Sequence, residues 1–240
     1  MKRVLILLTA VAALGVTAPA MAGTFKGTVV GKQRGTMLVA ASNGAVRAIA
    51  GSARVGARVV VSGTRVRTIG RAHRAIVRGV VVRRSAGVTF LSAAGHVLVV
   101  RSARRLASAS DTTPTTTTPQ PGAVVQTNVA IDDQGDLEEQ DEHQVGQAGN
   151  VQVQATVADV GAGSVTLTVN GQQLTINLPA GLTLPASIVG TQVTLNVSFA
   201  GGTATATANG QNGNDDDGDQ NDDNGDNGNG DQGGGGGGDD

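Results

Sequence analysis

The stretch SVTLTVNGQQLTINL, residues 164–178, decides the fold class. Val165, Leu167 and Val169 point to one side of an extended chain, and Thr166, Thr168 and Asn170 to the other. Leu174, Ile176 and Leu178 repeat the pattern, and Val193, Leu195, Val197 and Phe199 take it up again. Period-two alternation in β-branched and apolar residues marks half-buried antiparallel strands. Asn170-Gly171 between two such runs signals a type I′ hairpin. No stretch after residue 22 shows a helical period, so the chain is read as all-β. Strands are expected near 26–31, 36–41, 45–50, 57–62, 75–83, 87–92 and 96–101, then near 151–160, 164–170, 173–178, 190–200 and 203–208.

Working outward, the spacing repeats. Gly27, Gly35 and Gly44 recur as Gly79, Gly87 and Gly95, and again as Ala155, Gly163 and Gly171. Each triplet brackets two apolar strands. Two copies continue into a matching later strand, Val55-Gly56-Ala57-Arg58-Val59-Val60-Val61 and Val189-Gly190-Thr191-Gln192-Val193-Thr194-Leu195. The copy at Gly79 shows no later strand and is read as part of the first barrel. A generic β-meander whose turns need glycine is the plainer reading of the same spacing.

On these residues the chain resembles a family of bacterial exported domains of unknown function that form small OB-like β-barrels. The likeness is best over 151–208 and lies in a glycine-led first strand, a hairpin at Asn-Gly and a later Val-Gly-x-x-Val-x-Val strand. It implies two small antiparallel OB-like barrels or sandwiches and an envelope or extracellular setting. It brings no catalytic residues.

The expected organisation follows from composition. Residues 1–22 read as a signal peptide: Lys2 and Arg3, an apolar run from Val4 to Val16, then Ala20-Met21-Ala22 before Gly23. The protein is therefore expected to be exported, periplasmic or extracellular, with no membrane span once the signal is removed. Residues 23–107 form a basic Arg-rich barrel, and 108–122 (SASDTTPTTTTPQPG) a Thr/Pro linker. Residues 123–150 are an acidic polar segment, mostly disordered apart from a candidate short strand at Val124–Ile131. Residues 151–209 form a neutral Thr/Asn-rich β domain. Residues 210–240 hold almost only Gly, Asn, Asp and Gln, a composition with nothing to bury, and are expected to be a disordered acidic tail. Cysteine is absent, so no disulfide supports any part.

Charge is divided along the chain. All 18 Lys and Arg residues lie at or before Arg105, and all 19 Asp and Glu residues at or after Asp111. Opposed fields of this kind recruit opposite charge, from a partner or from the other half of the same chain. The first half lacks carboxylates, so no Ser-His-Asp relay or carboxylate pair can be assembled within it. His73 and His96 read as surface or turn residues, and Asp159 as a turn cap. No cofactor motif is present, and Gly161-Ala162-Gly163 lacks the strand-to-helix setting of a dinucleotide loop. Asp132–His143 and the tail both offer hard oxygen ligands, but in the tail neither Gly218 nor Gly225 at position six of a calcium loop puts Glu at twelve, and a solvated polyanion is the plainer reading. The chain is accordingly read as non-catalytic, with no metal site.

Function is read from the cations. Arg65, Arg67, Arg71, Arg74, Arg78, Arg83 and Arg84 form the candidate polyanion-binding set, since guanidinium groups match phosphate oxygens bidentately. The expected partner is an anionic, phosphate-bearing envelope polymer or extracellular nucleic acid. Contact is expected without base stacking, because Phe25, Phe90 and Phe199 are the only aromatics. A binding role requires Arg65, Arg67, Arg78, Arg83 and Arg84 to share one surface; otherwise arginine only solubilises a Val-rich barrel. The acidic tail is expected to solubilise the protein or to fold back on the basic domain as a tethered competitor. The alternative is a structural matrix protein that self-associates through the neutral β domain.

Overall fold

The computed structural model describes residues 24–85, 87–102 and 118–207. Residues 1–22, read as a signal peptide, most of the Thr/Pro stretch and the stretch 210–240, read as an acidic tail, lie outside the described residues. All-β architecture is found throughout. Apart from one 3-10 turn at Ala186–Ile188, the regular elements among the described residues are fifteen strands.

Their pairing gives one plan three times. Strands β1 (Phe25–Gln33), β2 (Thr36–Ala40), β3 (Val46–Ala50), β4 (Ala57–Ser62) and β5 (Arg65–Arg71) form an open sheet in the order β3-β2-β1-β4-β5. The next five are β6 (Arg74–Ser85), β7 (Val88–Ala93), β8 (His96–Ser102), β9 (Ala123–Ile131) and β10 (Leu137–Gln147). They close into a ring, β6-β7-β8-β10-β9, in which only β8 and β10 run parallel. A second ring is built from β11 (Asn150–Gly161), β12 (Ser164–Val169), β13 (Gln172–Asn177), β14 (Gln192–Ala200) and β15 (Thr203–Thr207), with β13 and β15 parallel. The two small OB-like barrels are thus the two closed rings, preceded by an open copy of the same order.

The glycine triplets are the signature of this plan. Gly35, Gly87 and Gly163 occupy the first hairpin of each unit at φ of +81°, +78° and +78°. Asn170-Gly171, with φ of +48° and +75°, forms the expected type I′ turn. The leading position, Gly27, Gly79 or Ala155, lies where the first strand crosses close above the second. A Cβ on Gly79 would stand 2.9 Å from the Ser92 carbonyl oxygen.

The strand pairing corrects the expected boundaries. No single basic barrel spans 23–107, because β6, β7 and β8 close with β9 and β10 instead of with β1–β5. The Thr/Pro stretch at 108–122 joins two strands of one barrel rather than two domains. The segment 123–150, expected to be mostly disordered, contains β9 and β10. Ala123, Val125, Thr127, Val129 and Ile131 alternate into the barrel, which gives β9 a buried face. β10 buries only Leu137 among its apolar residues, and backbone pairing along β9 holds the rest.

Neighbouring units share cores. Val30, Leu38 and Ala40 of the open sheet pack with Val77, Val81, Leu91 and Leu98 of the first ring. His96 Nδ1 lies 2.9 Å from Gln33 Oε1, and Gln33 Nε2 donates to the Val97 carbonyl at 3.0 Å. Burial holds the His96 pKa below its ordinary value, so the ring is neutral at pH 7. On the other side, Val82, Phe90 and Val97 join the core of the second ring, and Ser92 Oγ donates to the Gln152 carbonyl at 2.7 Å.

A fragment of residues 23–107 retains β6–β8 but lacks the strands that complete their barrel. Its residues 74–102 are expected to give collapsed amide dispersion in a 1H–15N NMR spectrum. A fragment of residues 23–147 should restore the native pattern. Well-dispersed resonances for 74–102 in the shorter fragment would contradict the ring assignment.

Candidate polyanion-binding cleft

The ring topology brings the two charge classes together. Every carboxylate that pairs with an arginine among the described residues comes from 133–142. Arg71 Nη2 lies 2.9 Å from Asp133 Oδ1, and Arg101 Nη1 lies 2.9 Å from Asp136 Oδ2. Arg84 pairs with Glu142 and, at 3.7 Å, with Glu139. The acids far along the chain therefore serve as counter-ions to the first half, Glu139 and Glu142 from β10 within the first ring and Asp133 and Asp136 from the β9–β10 turn.

The candidate arginines divide into those used internally and those that face solvent. Arg84 extends into one end of the first ring beside Thr89, its partner in register, and its side chain is 23% exposed. Glu142, 4% exposed there, also accepts from Thr127 Oγ1 at 3.2 Å. Burial raises the Glu142 pKa and outweighs the attraction of Arg84; Glu139 nearby pushes it further up. Arg83 points toward the second ring, where Nη1 donates to the Thr175 carbonyl at 2.7 Å. Arg71 is held by Asp133. These three do not share a surface with the others, so the expected continuous patch of Arg65, Arg67, Arg78, Arg83 and Arg84 is not formed. An alternating strand sends adjacent residues to opposite faces, which separates Arg83 from Arg84.

The remaining four flank a different feature. A cleft of about 720 Å³ opens between the open sheet and the first ring, lined by Lys26, Arg58 and Arg74 with Thr28, Asn128 and Asp141. Lys26 stands opposite Val60, and Val60 opposite Arg67, so both cations lie on one face of the sheet about 10 Å apart. Arg65, two residues before Arg67, and Arg58, two residues before Val60, lie on that face too. Across the cleft, Arg74 and Arg78 share a face of β6 with Ile76 between them. The Arg78 amide donates to the Gly44 carbonyl at 2.8 Å, which anchors the β2–β3 turn there. Asp141 is the single carboxylate of the lining, and Asn128 Nδ2 donates to it at 3.4 Å.

Sequence reading found Arg74 and missed Lys26 and Arg58. The signal available for them was parity: Lys26 and Thr28, like Arg58 and Val60, sit at alternate positions facing away from buried Val29, Val59 and Val61.

No known family model matches the chain, and no curated protein matches it in sequence. Among solved structures, a multidomain protein with nucleic acid binding domains from Streptococcus pneumoniae TIGR4 aligns over 78% of this chain and 73% of its own. Identity there is 14% and the TM-score 0.21. Drosophila Unr CSD456 aligns over 77% of this chain and 95% of its own, at 12% identity and a TM-score of 0.22. Superpositions that loose say nothing about function.

Proposed function

We propose that this is an exported, non-catalytic binding module that holds a phosphate-bearing polymer in the cleft between the open sheet and the first ring. The observation that carries the reading is the convergence of Lys26, Arg58 and Arg74 on one cleft, with Arg65 and Arg67 on the sheet face that carries Lys26 and Arg78 on the face of β6 that carries Arg74. Asp141 is the only opposing charge in the lining, so the cleft is strongly cationic. No aromatic side chain lines it, which suits contact with a phosphate backbone and not with stacked bases or sugars. Export rests on the leader-like residues 1–22. Self-association through the neutral unit has less to build on, because closing β11–β15 into a ring removes most free strand edges.

The test is a salt titration on a polyphosphate or single-stranded DNA column. Lys26→Gln, Arg58→Gln and Arg74→Gln together are expected to weaken binding roughly tenfold at low salt. They should also reduce the slope of log affinity against log salt by about 2 to 3. A triple variant at exposed Arg34, Arg47 and Arg83, which line neither this cleft nor the one bordering β5, controls for loss of net charge. Equal losses in the two triples would reject the cleft.

A further inference from the structure

A second cleft, of about 640 Å³, borders strand β5 where the open sheet meets the β9–β10 turn. Lys32, Arg54 and Arg71 line it, and its single carboxylate is Asp133. The turn is built to hold that carboxylate in place. Asp132 Oδ1 accepts the Asp136 amide at 2.8 Å, and the Asp132 carbonyl accepts the Gly135 amide at 3.2 Å. Gly135, at φ +89°, packs so closely on Val55 that an added Cβ would stand 3.0 Å from the Val55 Cβ. With the turn seated there, Asp133 Oδ1 reaches Arg71 Nη2 at 2.9 Å.

That contact is a weak one. The Asp133 side chain is 79% exposed and that of Arg71 49%, so water screens their attraction. Neither Lys32 nor Arg54 pairs with a carboxylate among the described residues. Three cations against one carboxylate leave two positive charges uncompensated, so the cleft attracts an anion that carries more charge than Asp133 does. The Arg71 guanidinium offers a planar donor fork suited to phosphate oxygens, and Asp133 engages only its Nη2.

We propose that the Lys32–Arg54–Arg71 cleft is a site for a phosphate monoester or inorganic phosphate dianion, and that Asp133 is a resident competitor which the anion displaces. The site is distinct from the polymer cleft and does not depend on it. A dianion is required, because with Asp133 displaced three cations face the anion, and the single charge of a phosphodiester would compensate them no better than Asp133 itself does.

The test uses the full chain, with side-chain and amide NMR shifts followed during titration with three probes: inorganic phosphate, a 5′-phosphorylated trinucleotide and dimethyl phosphate. Saturable shifts at Arg54 and Arg71 are expected with the first two. Inorganic phosphate alone would assign the site to free phosphate, and the trinucleotide alone to chain ends; binding by neither overturns the proposal. Dimethyl phosphate binding as tightly as inorganic phosphate overturns the dianion assignment. Asp133→Asn is expected to tighten phosphate binding about fivefold, and Lys32→Gln with Arg54→Gln to weaken it about tenfold. No change in either variant overturns the proposal, and circular dichroism checks that both remain folded. Lys26→Gln/Arg58→Gln/Arg74→Gln should leave phosphate affinity unaltered. Loss of polymer retention in that triple with phosphate binding intact supports both sites, whereas polymer retention unchanged in it rejects the polymer cleft alone.

Discussion

Replacing Glu142 with alanine is expected to destabilise the folded chain by about 3 kcal/mol, because it strands Arg84 inside the first ring with only Glu139 left near it. Arg84 alone replaced by methionine should cost a similar amount, since Glu142 is then the buried charge without its partner. The double variant Arg84→Met/Glu142→Leu should recover most of the loss, because it removes both desolvated charges and fills the barrel end with apolar volume. Urea denaturation of wild type, Arg84→Met, Glu142→Leu and the double variant closes the cycle and gives the coupling energy. Additive single effects in the double variant would show that the pair is not the coupled unit inferred here.

The same pair sets a pH dependence whose sign follows from burial. The native Glu142 carboxyl binds its proton more tightly than the unfolded chain does, because desolvation raises its pKa despite Arg84. Its contribution to stability is therefore full below the ordinary glutamate value and declines as pH rises through the higher native value. Glu142→Gln cannot titrate. The stability difference, wild type minus Glu142→Gln, should fall as pH rises across that window and level off above it. A difference that grows with pH would mean that Arg84 outweighs burial at this carboxyl.

The parts of the fold legible in sequence were those that depend on a residue's near neighbours. Alternation at Val165–Val169 and Leu174–Leu178 marked β12 and β13, and the glycine triplets marked the first three strands of all three units. The middle unit was misjudged because its fourth strand is displaced by the Thr/Pro stretch. Gly122-Ala123-Val124-Val125 is the same element as Gly56-Ala57-Arg58-Val59, and Gly56, Gly122 and Gly190 share φ values of +84°, +91° and +81°. Strand β10 was illegible for a deeper reason. Its sequence, LEEQDEHQVGQ, has no apolar face, and what holds it extended is a ladder to β9 and arginines on β6 and β8. The arginines lie tens of residues away, beyond the reach of any local pattern.

The site divides along the same line. Guanidinium density pointed to Arg74 and to its neighbours on β5 and β6, but density does not tell a solvent-facing arginine from one turned into a barrel. Arg83 and Arg84 differ by one position, and that step sends one to the second ring and the other to Glu142. Lys26 and Arg58 are isolated in sequence and become part of a site only when the open sheet docks on the first ring.

The leading glycine of the first unit is expected to be the most sensitive small residue in the chain. A Cβ at Gly27 would overlap the Ala40 carbonyl oxygen and stand 2.7 Å from Val39 Cγ1. One obstacle is backbone in a paired strand, and the other belongs to a fully buried valine, so neither can move aside without disturbing the β1–β2 ladder. Gly27→Ala should therefore cost about 3 kcal/mol, the upper end for overpacking a well-filled core. Gly79→Ala meets the Ser92 carbonyl at 2.9 Å and should cost somewhat less. Gly87→Ala, at φ +78° with nothing within 4 Å of the new methyl, carries only the backbone strain of a left-handed turn, about 1 kcal/mol. In the third unit evolution has placed Ala155 at the leading position, buried to 4% exposure, so there Ala155→Gly should be the destabilising change, by about 1 kcal/mol. Chemical denaturation of the four variants tests the order Gly27→Ala, Gly79→Ala, then the other two. Gly27→Ala proving as mild as Gly87→Ala would mean that the first and second strands of the open sheet do not cross as closely as the two rings require of theirs.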